Sequence, residues 1–190
     1  VAHTVANQPN TLLLVWLLYN LTGAASDESV TYNGVAMTFV KHASFSSTFY
    51  GALYSLVNPT VGTNNIISTV SFAPAGPTSD IVVIAASFYK ASQTAPVRAT
   101  FGATGTGTSI AKTGIDSSTT EIMVMGSACH ANTTDTKDAA ETLIATVLNA
   151  GNDMRGTASY KTGAASGSMT HTLGASNDWV MIGASVVGVA

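Results

Sequence analysis

Charged residues and cysteine are both scarce in this sequence. Lysine, arginine, aspartate and glutamate make up 9% of the 190 residues, against about 25% in typical soluble domains. The seven basic and ten acidic residues give a net charge of −3, which leaves no positive patch for nucleic-acid phosphates. The single cysteine excludes an internal disulfide framework and a cysteine-rich metal site. We therefore expect no nucleic-acid partner and no cofactor.

Long hydrophobic runs are also missing. The longest apolar segment is Thr11–Leu21, about half the length that a helix needs to cross a bilayer, so we expect no membrane span. Disorder is excluded because 46% of the residues are hydrophobic. Polarity comes instead from 27 threonines and 20 serines. A chain of this length fits one domain, residues 1–190.

Short strand-like segments separated by Gly, Asn, Pro and Ser predict an all-β, antiparallel β-sandwich. Residues 81–86 are apolar throughout, as in strands buried on both faces, whereas Met169, His171 and Leu173 alternate and share one face. Taken alone, Thr11–Leu21 and Thr142–Leu148 would also fit helices. The predicted strands are Ala2–Ala6, Thr11–Leu21, Ser29–Tyr32, Ala36–Lys41, Phe49–Val57, Asn65–Phe72, Ile81–Tyr89, Glu121–Ala128, Thr142–Leu148, Thr157–Lys161, Ser168–Leu173 and Trp179–Val189.

Three turn signals divide these strands. Asn33-Gly34 predicts a type I′ hairpin turn, which needs positive φ at both central residues. Asn58-Pro59 predicts the end of the preceding strand, because proline has no N–H and restricts the residue before it. The segment 102–107 (GATGTG) is predicted to be a flexible loop or a strand edge. It is not a nucleotide-binding loop, since no lysine follows it and the third glycine of the dinucleotide fingerprint is missing.

Several of these strand and turn segments resemble a known group of domains. They are Thr31–Met37, Leu56–Pro59 with Gly62-Thr63, Ala158–Lys161, Asp178–Val180, and the opening His3-Thr4 followed by Leu12–Trp16. Together the segments resemble the single-domain β-jelly-roll modules of phage virion proteins and of secreted prokaryotic surface and filament proteins. The resemblance implies a jelly-roll fold. It implies no catalytic residues, because that family shares none.

No combination of residues in the sequence predicts catalysis. The acids fall at predicted strand ends or in loops, where we expect solvated side chains rather than a catalytic carboxylate pair. The histidines are scattered and no nucleophile elbow occurs. Asp178 with His171 is the first pair to examine, and we expect both to face solvent or a subunit contact. The acids are Asp27, Glu28, Asp80, Asp116, Glu121, Asp135, Asp138, Glu141, Asp153 and Asp178, and the histidines are His3, His42, His130 and His171.

The acids Asp135, Asp138 and Glu141 stand three apart after a polar segment. Such a loop could wrap oxygens around Ca²⁺, but the spacing misses the EF-hand pattern and also fits a short solvated helix. We therefore predict no metal site. Cys129 is interpreted as a small buried residue at a strand end.

Aromatic residues provide an alternative function, because exposed rings in β-sandwiches can stack on sugars. Trp16 and Trp179 lie in apolar strands and are predicted to be core residues, which disfavours a carbohydrate-binding module. The remaining candidates are Tyr50, Tyr54, Tyr89 and Tyr160. Asn20 and Asn132 begin glycosylation triplets, and Asn132, in a predicted loop, is the better glycan acceptor if the protein is exported.

The scarcity of charge favours a subunit that packs among copies of itself, since a free monomer of this composition would expose flat, adhesive faces. We therefore expect a non-enzymatic structural subunit at a virion surface, as a capsid decoration or fibre protein bound to copies of itself and to a capsid or other assembly protein. The main alternative is an extracellular filament built by strand donation. The N-terminal segment could serve that purpose, with Val1, His3 and Val5 on one face.

Overall fold

A computed structural model describes residues 1–21, 24–46, 49–73, 80–130, 132–149, 151 and 153–188. Within these residues the protein is all-β, with antiparallel strands and no helix, so none of the described chain forms an apolar helix of membrane-crossing length. The strands are β1 (Ala2–Val5), β2 (Leu12–Asn20), β3 (Ala24–Tyr32), β4 (Val35–Ala36), β5 (Thr38–Phe45), β6 (Phe49–Val57), β7 (Gly62–Ala73), β8 (Asp80–Phe88), β9 (Val97–Ile115), β10 (Ile122–His130), β11 (Asp135–Lys137), β12 (Thr142–Leu148), β13 (Met154–Thr162) and β14 (Gly167–Val186).

The strands form three sheets that stack face to face. The first sheet has the order β1-β7-β3-β4 and the second the order β5-β6-β2-β8. In the third, β11 and β10 both pair with β14, β13 and β12 follow beyond β10, and β9 pairs with the other edge of β14. This stack confirms the antiparallel sandwich. The jelly-roll order of connections stays a prediction.

The strand β2 lies at the centre of the stack. Its odd-numbered residues from Leu13 to Tyr19 pack against the first sheet, and its even-numbered residues from Leu12 to Leu18 pack against the third. Because both faces are covered, the strand reads as a continuous apolar run rather than an alternating one. Trp16 packs against β10 at Gly126, where a side-chain carbon would overlap its indole ring.

The third sheet folds over on itself. The second part of β14 pairs with β10, while residues 171–173 pair with β11, and the β9 register shifts between these two parts. The β10–β13 surface is therefore covered on one face by the second sheet and on the other by an outer layer, which we define as β11 together with residues 167–173. Met169, His171 and Leu173 all point inward from that layer, as their alternation predicted.

The two-residue turn at Asn33-Gly34 is confirmed, with φ of 50° and 77°, and the strand before Asn58-Pro59 ends at Val57. The two closing strands predicted separately are one 20-residue strand, β14. Two strands were not predicted: β11, and β9, which includes the GATGTG segment. The single strand predicted over Ala36–Lys41 is divided between β4 and β5, which lie in different sheets. Val189, the last residue predicted for the closing strand, lies outside the described residues.

Candidate functional site

A histidine with no solvent exposure lies between two carboxylates under the outer layer. His171 is on β14, and both its ring nitrogens face carboxylates. Nδ1 lies 3.0 Å from Oδ1 of Asp135, at the start of β11. Nε2 lies 3.4 Å from Oε2 of Glu141, in the turn before β12. Three ionisable side chains from three segments therefore meet in the interior.

Two serine hydroxyls connect the ring to the carboxylates. On the Asp135 side, Ser127 of β10 donates to Oδ2 at 2.6 Å and lies 2.9 Å from Nδ1 of His171. On the Glu141 side, Ser159 of β13 donates to Oε2 at 2.6 Å and lies 2.9 Å from Nε2. Both serines are fully buried. The two halves of the cluster have the same hydrogen-bond pattern.

The hydrogen bonds of the two serines favour a ring that carries a proton on both nitrogens. A hydroxyl has one proton to donate, and the closest acceptor of that proton, for both Ser127 and Ser159, is a carboxylate oxygen. Each serine oxygen can then accept from a ring N–H of His171. Burial alone would lower the pKa of His171, but the neighbouring Asp135 and Glu141 carboxylates outweigh burial and raise it. Both observations favour the imidazolium.

The same contacts act on Glu141. Burial would raise the pKa of this carboxyl, but hydrogen bonds from His171, Ser159 and the Thr170 backbone outweigh burial and lower it. The Thr170 N–H donates to Oε1 at 2.8 Å, and the Lys161 ammonium lies 3.8 Å from the same oxygen. Glu141 is therefore an anion with compensation on both oxygens.

Asp135 is compensated less completely. Its Oδ2 accepts from Ser127, but Oδ1 is buried and has no partner in hydrogen-bond geometry in the described structure. The nearby His171 ring, 3.0 Å away, supplies only its positive charge. A buried anion is costly unless it is paired, so this carboxylate depends on the imidazolium.

The cluster is a buried charge network. Nucleophilic catalysis by serine needs a neutral imidazole that can accept the hydroxyl proton, whereas the surroundings of His171 favour the protonated ring. The ring and both carboxylates also have side chains with no exposure. Among the described residues, no group of three or more His, Cys, Asp or Glu has the arrangement of a metal site.

Asp178 and His171 do not pair, and the expectation that His171 faces solvent or a subunit contact is wrong. Asp178 accepts a 2.6 Å hydrogen bond from Thr106 on β9, while His171 points into the interior and not to solvent. The three acids spaced three apart do not form a helix or a calcium loop either. Asp135 and Glu141 turn inward to the ring, and Asp138 is exposed and accepts from the Ala140 N–H at 2.9 Å.

The expectation that the acids are solvated is therefore wrong for three of them, since Asp135, Glu141 and Glu121 are all buried. Glu121 accepts from Arg98 at 2.7 Å and from the Ser118 N–H at 3.0 Å. The carboxylates of Asp27, Asp116, Asp138 and Asp153 belong to exposed residues, and those of Glu28, Asp80 and Asp178 to half-buried ones.

The other candidates lie as follows. His3, His42 and His130 are half-buried and do not meet the cluster. Cys129 is fully buried beside Asp135, and its burial raises the thiol pKa to about 12, which fits the predicted inert thiol.

Most of the aromatic candidates for sugar stacking are buried, namely Trp16, Trp179, Tyr50 and Tyr54, while Tyr160 is half-buried and Tyr89 is exposed. Asn132 is exposed and accepts from Asn177, and Thr22 of the Asn20 triplet lies outside the described residues.

A second feature lies at the surface, on one side of the stack. The strands β8 and β12 end their sheets on the same side and contact each other. In the described chain no strand pairs with either outer edge. Among their residues only Asp80 is charged, and it lies at the very start of β8, bonded to Asn149. Ile81, Leu143 and Leu148 are exposed there. We call this surface the open side.

The opposite side is formed by β5 and β9, which also contact each other. These edges carry basic residues, Lys41 on β5 and Arg98 and Lys112 on β9, and β5 has a register shift between Phe39 and Lys41. Charges, bulges and short strands are the usual means of blocking edge-to-edge pairing. We call this surface the guarded side.

Comparisons of the chain with protein-family models, with curated proteins and with solved structures found no match.

Proposed function

We propose that this protein is a non-enzymatic structural subunit that assembles with copies of itself through the open side. The single observation that carries the proposal is the pair of adjacent, unpaired and nearly uncharged strand edges, β8 and β12. An unpaired edge presents a row of free N–H and C=O groups that pairs readily with another strand. In a monomeric protein we would expect both edges to be protected against pairing with another chain.

The chemistry of the open side favours a second copy as the partner. Two identical surfaces meet without repulsion only when they carry little charge of one sign, and strand β12 carries none. Exposed Ile81, Leu143 and Leu148 add apolar area that such a contact would cover. The composition agrees, because 9% charged residues provide little of the charged surface that keeps a monomer apart from its copies.

The first test is to place a positive charge on the open side. Leu143→Lys keeps the fold, since this side chain is 48% exposed, but it brings like charges together when copies meet. Like charges facing each other across an interface cost several kcal/mol, so we expect association to weaken by roughly tenfold or more. Sedimentation velocity over a micromolar concentration series measures the change.

Ile67→Lys is the matched control. Ile67 lies on β7 and is 60% exposed, so the substitution adds the same charge to the outer face of the first sheet. We expect this variant to associate like the unmodified protein. A wild-type protein that stays at 19.3 kDa throughout the series, or an equal loss of association in both variants, would contradict the proposal.

The setting that we propose for this assembly is the virion surface, as a capsid decoration or fibre subunit of jelly-roll type. Its support is the resemblance of the turn and strand segments together with the antiparallel stacked sheets. Electron microscopy of native material tests it: subunits on capsids support the virion setting, and long filaments support the extracellular alternative. In the structure β1 pairs with β7 of its own sheet and Val5 is buried, so strand donation by β1 would require this strand to leave.

A further inference from the structure

We propose that the His171 imidazolium is a clamp that holds the outer layer on the β10–β13 surface, and that the layer detaches when the ring loses its proton. The clamp joins the two parts directly. His171 and Asp135 belong to the outer layer, whereas Ser127 and Ser159 belong to the surface beneath it. Glu141, in the turn before β12, completes the ring's second contact. This device borders the open side, since Ser159 pairs with Leu143 of β12, but all of its contacts lie within one copy of the chain.

The proton is essential because of what its loss leaves behind. A neutral ring donates from one nitrogen only, so one serine oxygen would lose its donor. Asp135 and Glu141 would then be two buried anions without the cation between them, and Oδ1 of Asp135 has no hydrogen bond to fall back on. Removing one partner from a buried charge cluster is strongly destabilising. Detachment lets water reach both carboxylates.

Lys161 adds a positive charge on the Glu141 side of the cluster, with its ammonium 3.8 Å from Oε1 of Glu141. Arg155 donates to the Thr133 carbonyl at 2.7 Å. Asp135, Glu141, Ser127 and Ser159 contact the ring itself. The other titratable and charged residues on the elements around it are Arg98 and Lys112 of β9, Cys129 and His130 of β10, Lys137 of β11, Arg155, Tyr160 and Lys161 of β13, and Asp178 of β14.

The direction of the pH effect follows from the two shifts. The pKa of His171 is raised above 6.5 in the folded protein, so its contribution to stability is complete below 6.5 and is lost as pH rises through the folded-state value. The pKa of Glu141 is lowered below 4.5, so its contribution is present above 4.5 and is lost as pH falls through the folded-state value. The outer layer is therefore held in place at pH values between the folded-state pKa of Glu141 and that of His171. It detaches when the pH rises above the folded-state pKa of His171.

Nitrogen NMR of the histidine side chains tests the protonation state directly. We expect the two ring nitrogens of His171 to have imidazolium shifts at pH values below 6.5 and to titrate with a midpoint above 6.5. Across that midpoint, amide hydrogen exchange should lose protection in β11 and residues 167–173 while protection in β2 stays. A midpoint at or below 6.5, or loss of protection in β2 together with the outer layer, would overturn the proposal.

The double variant Asp135→Asn with Glu141→Gln removes the charges but keeps the side-chain shapes. We expect the midpoint of His171 to fall and the detachment to move to lower pH with it. His42→Gln is the control, because His42 is half-buried on β5 and away from the clamp, and it should leave the exchange profile of the outer layer unchanged. An unchanged His171 midpoint in the double variant would contradict the clamp. If the double variant does not fold, the wild-type titration decides alone.

Discussion

The open and guarded sides of the stack have the same architecture and opposite chemistry. On each side the last strands of the second and third sheets lie against each other, β8 with β12 and β5 with β9. The guarded side carries Lys41, Arg98 and Lys112, whereas the open side has only Asp80, at one end. The difference indicates that charge is not missing at random. It is missing where a partner strand would pair.

The first sheet shows a third way to handle an edge. Its outer strands are β1, with four residues, and β4, with two. Short edge strands offer few free backbone groups and pair poorly. Of the edges in the described chain, the two on the open side therefore have the weakest protection against pairing with another strand. On β12, a bulge between Leu143 and Ala145 is the feature that opposes such pairing.

The largest expected effect separates folding from association. Trp16 is fully buried between the second and third sheets, and its indole donates to the Ile182 carbonyl at 3.3 Å. Trp16→Ala should lower the free energy of unfolding by about 3–5 kcal/mol, as large-to-small core substitutions do. Chemical denaturation measures the loss. Association of the protein that remains folded should not change, and a change equal to that of Leu143→Lys would show that assembly reports only on stability.

The next effect concerns the short edge strand β4. Gly34 has a φ of 77° in the turn between β3 and β4, and a β-branched residue is strained there. Gly34→Val should therefore lower the free energy of unfolding by about 1–3 kcal/mol, measured by thermal melting. Since β4 leads through a single residue into β5 of the guarded side, we expect association through the open side to be retained. An unchanged melting temperature would contradict the strain.

The smallest expected effect on stability comes from removing a charged side chain from the guarded side. Lys41 is half-buried on β5, and Lys41→Thr removes a charge from the middle of that edge. Surface changes of this kind usually shift stability by less than about 0.5 kcal/mol. We expect a second contact and therefore larger oligomers by light scattering. Oligomers of unchanged size would show that Lys41 is not what keeps this edge apart.

Apolar strands and turns could be predicted from the sequence because their signal is local. The segments Phe49–Val57 and Thr142–Leu148 match β6 and β12 to the residue, and the central strand was predicted to within one residue at each end. The strand β9 was missed because its threonines and glycines give no apolar period, as in residues 102–107. The strand β11 has only three residues, too few for any period.

The histidine cluster could not be predicted because its members come from five separate segments and meet only through the folding of the third sheet. One signal was present: His171 alternates with Met169 and Leu173, which places a histidine on an apolar face. A histidine on an apolar face needs a buried polar partner, so this alternation indicated that His171 faces the interior rather than solvent. Nothing in the spacing identified Asp135, Glu141 or the two serines as the partners.

Hydrogen exchange at low and high protein concentration tests the central claim, assembly through the open side, most directly. Pairing with a second copy satisfies the outward N–H groups of an edge strand, and satisfied amides exchange more slowly. We predict that amides of β8 and β12 gain protection as concentration rises, while those of β5 and β9 do not. Equal gains on both sides, or no gain in β8 and β12 while the protein associates, would contradict the account.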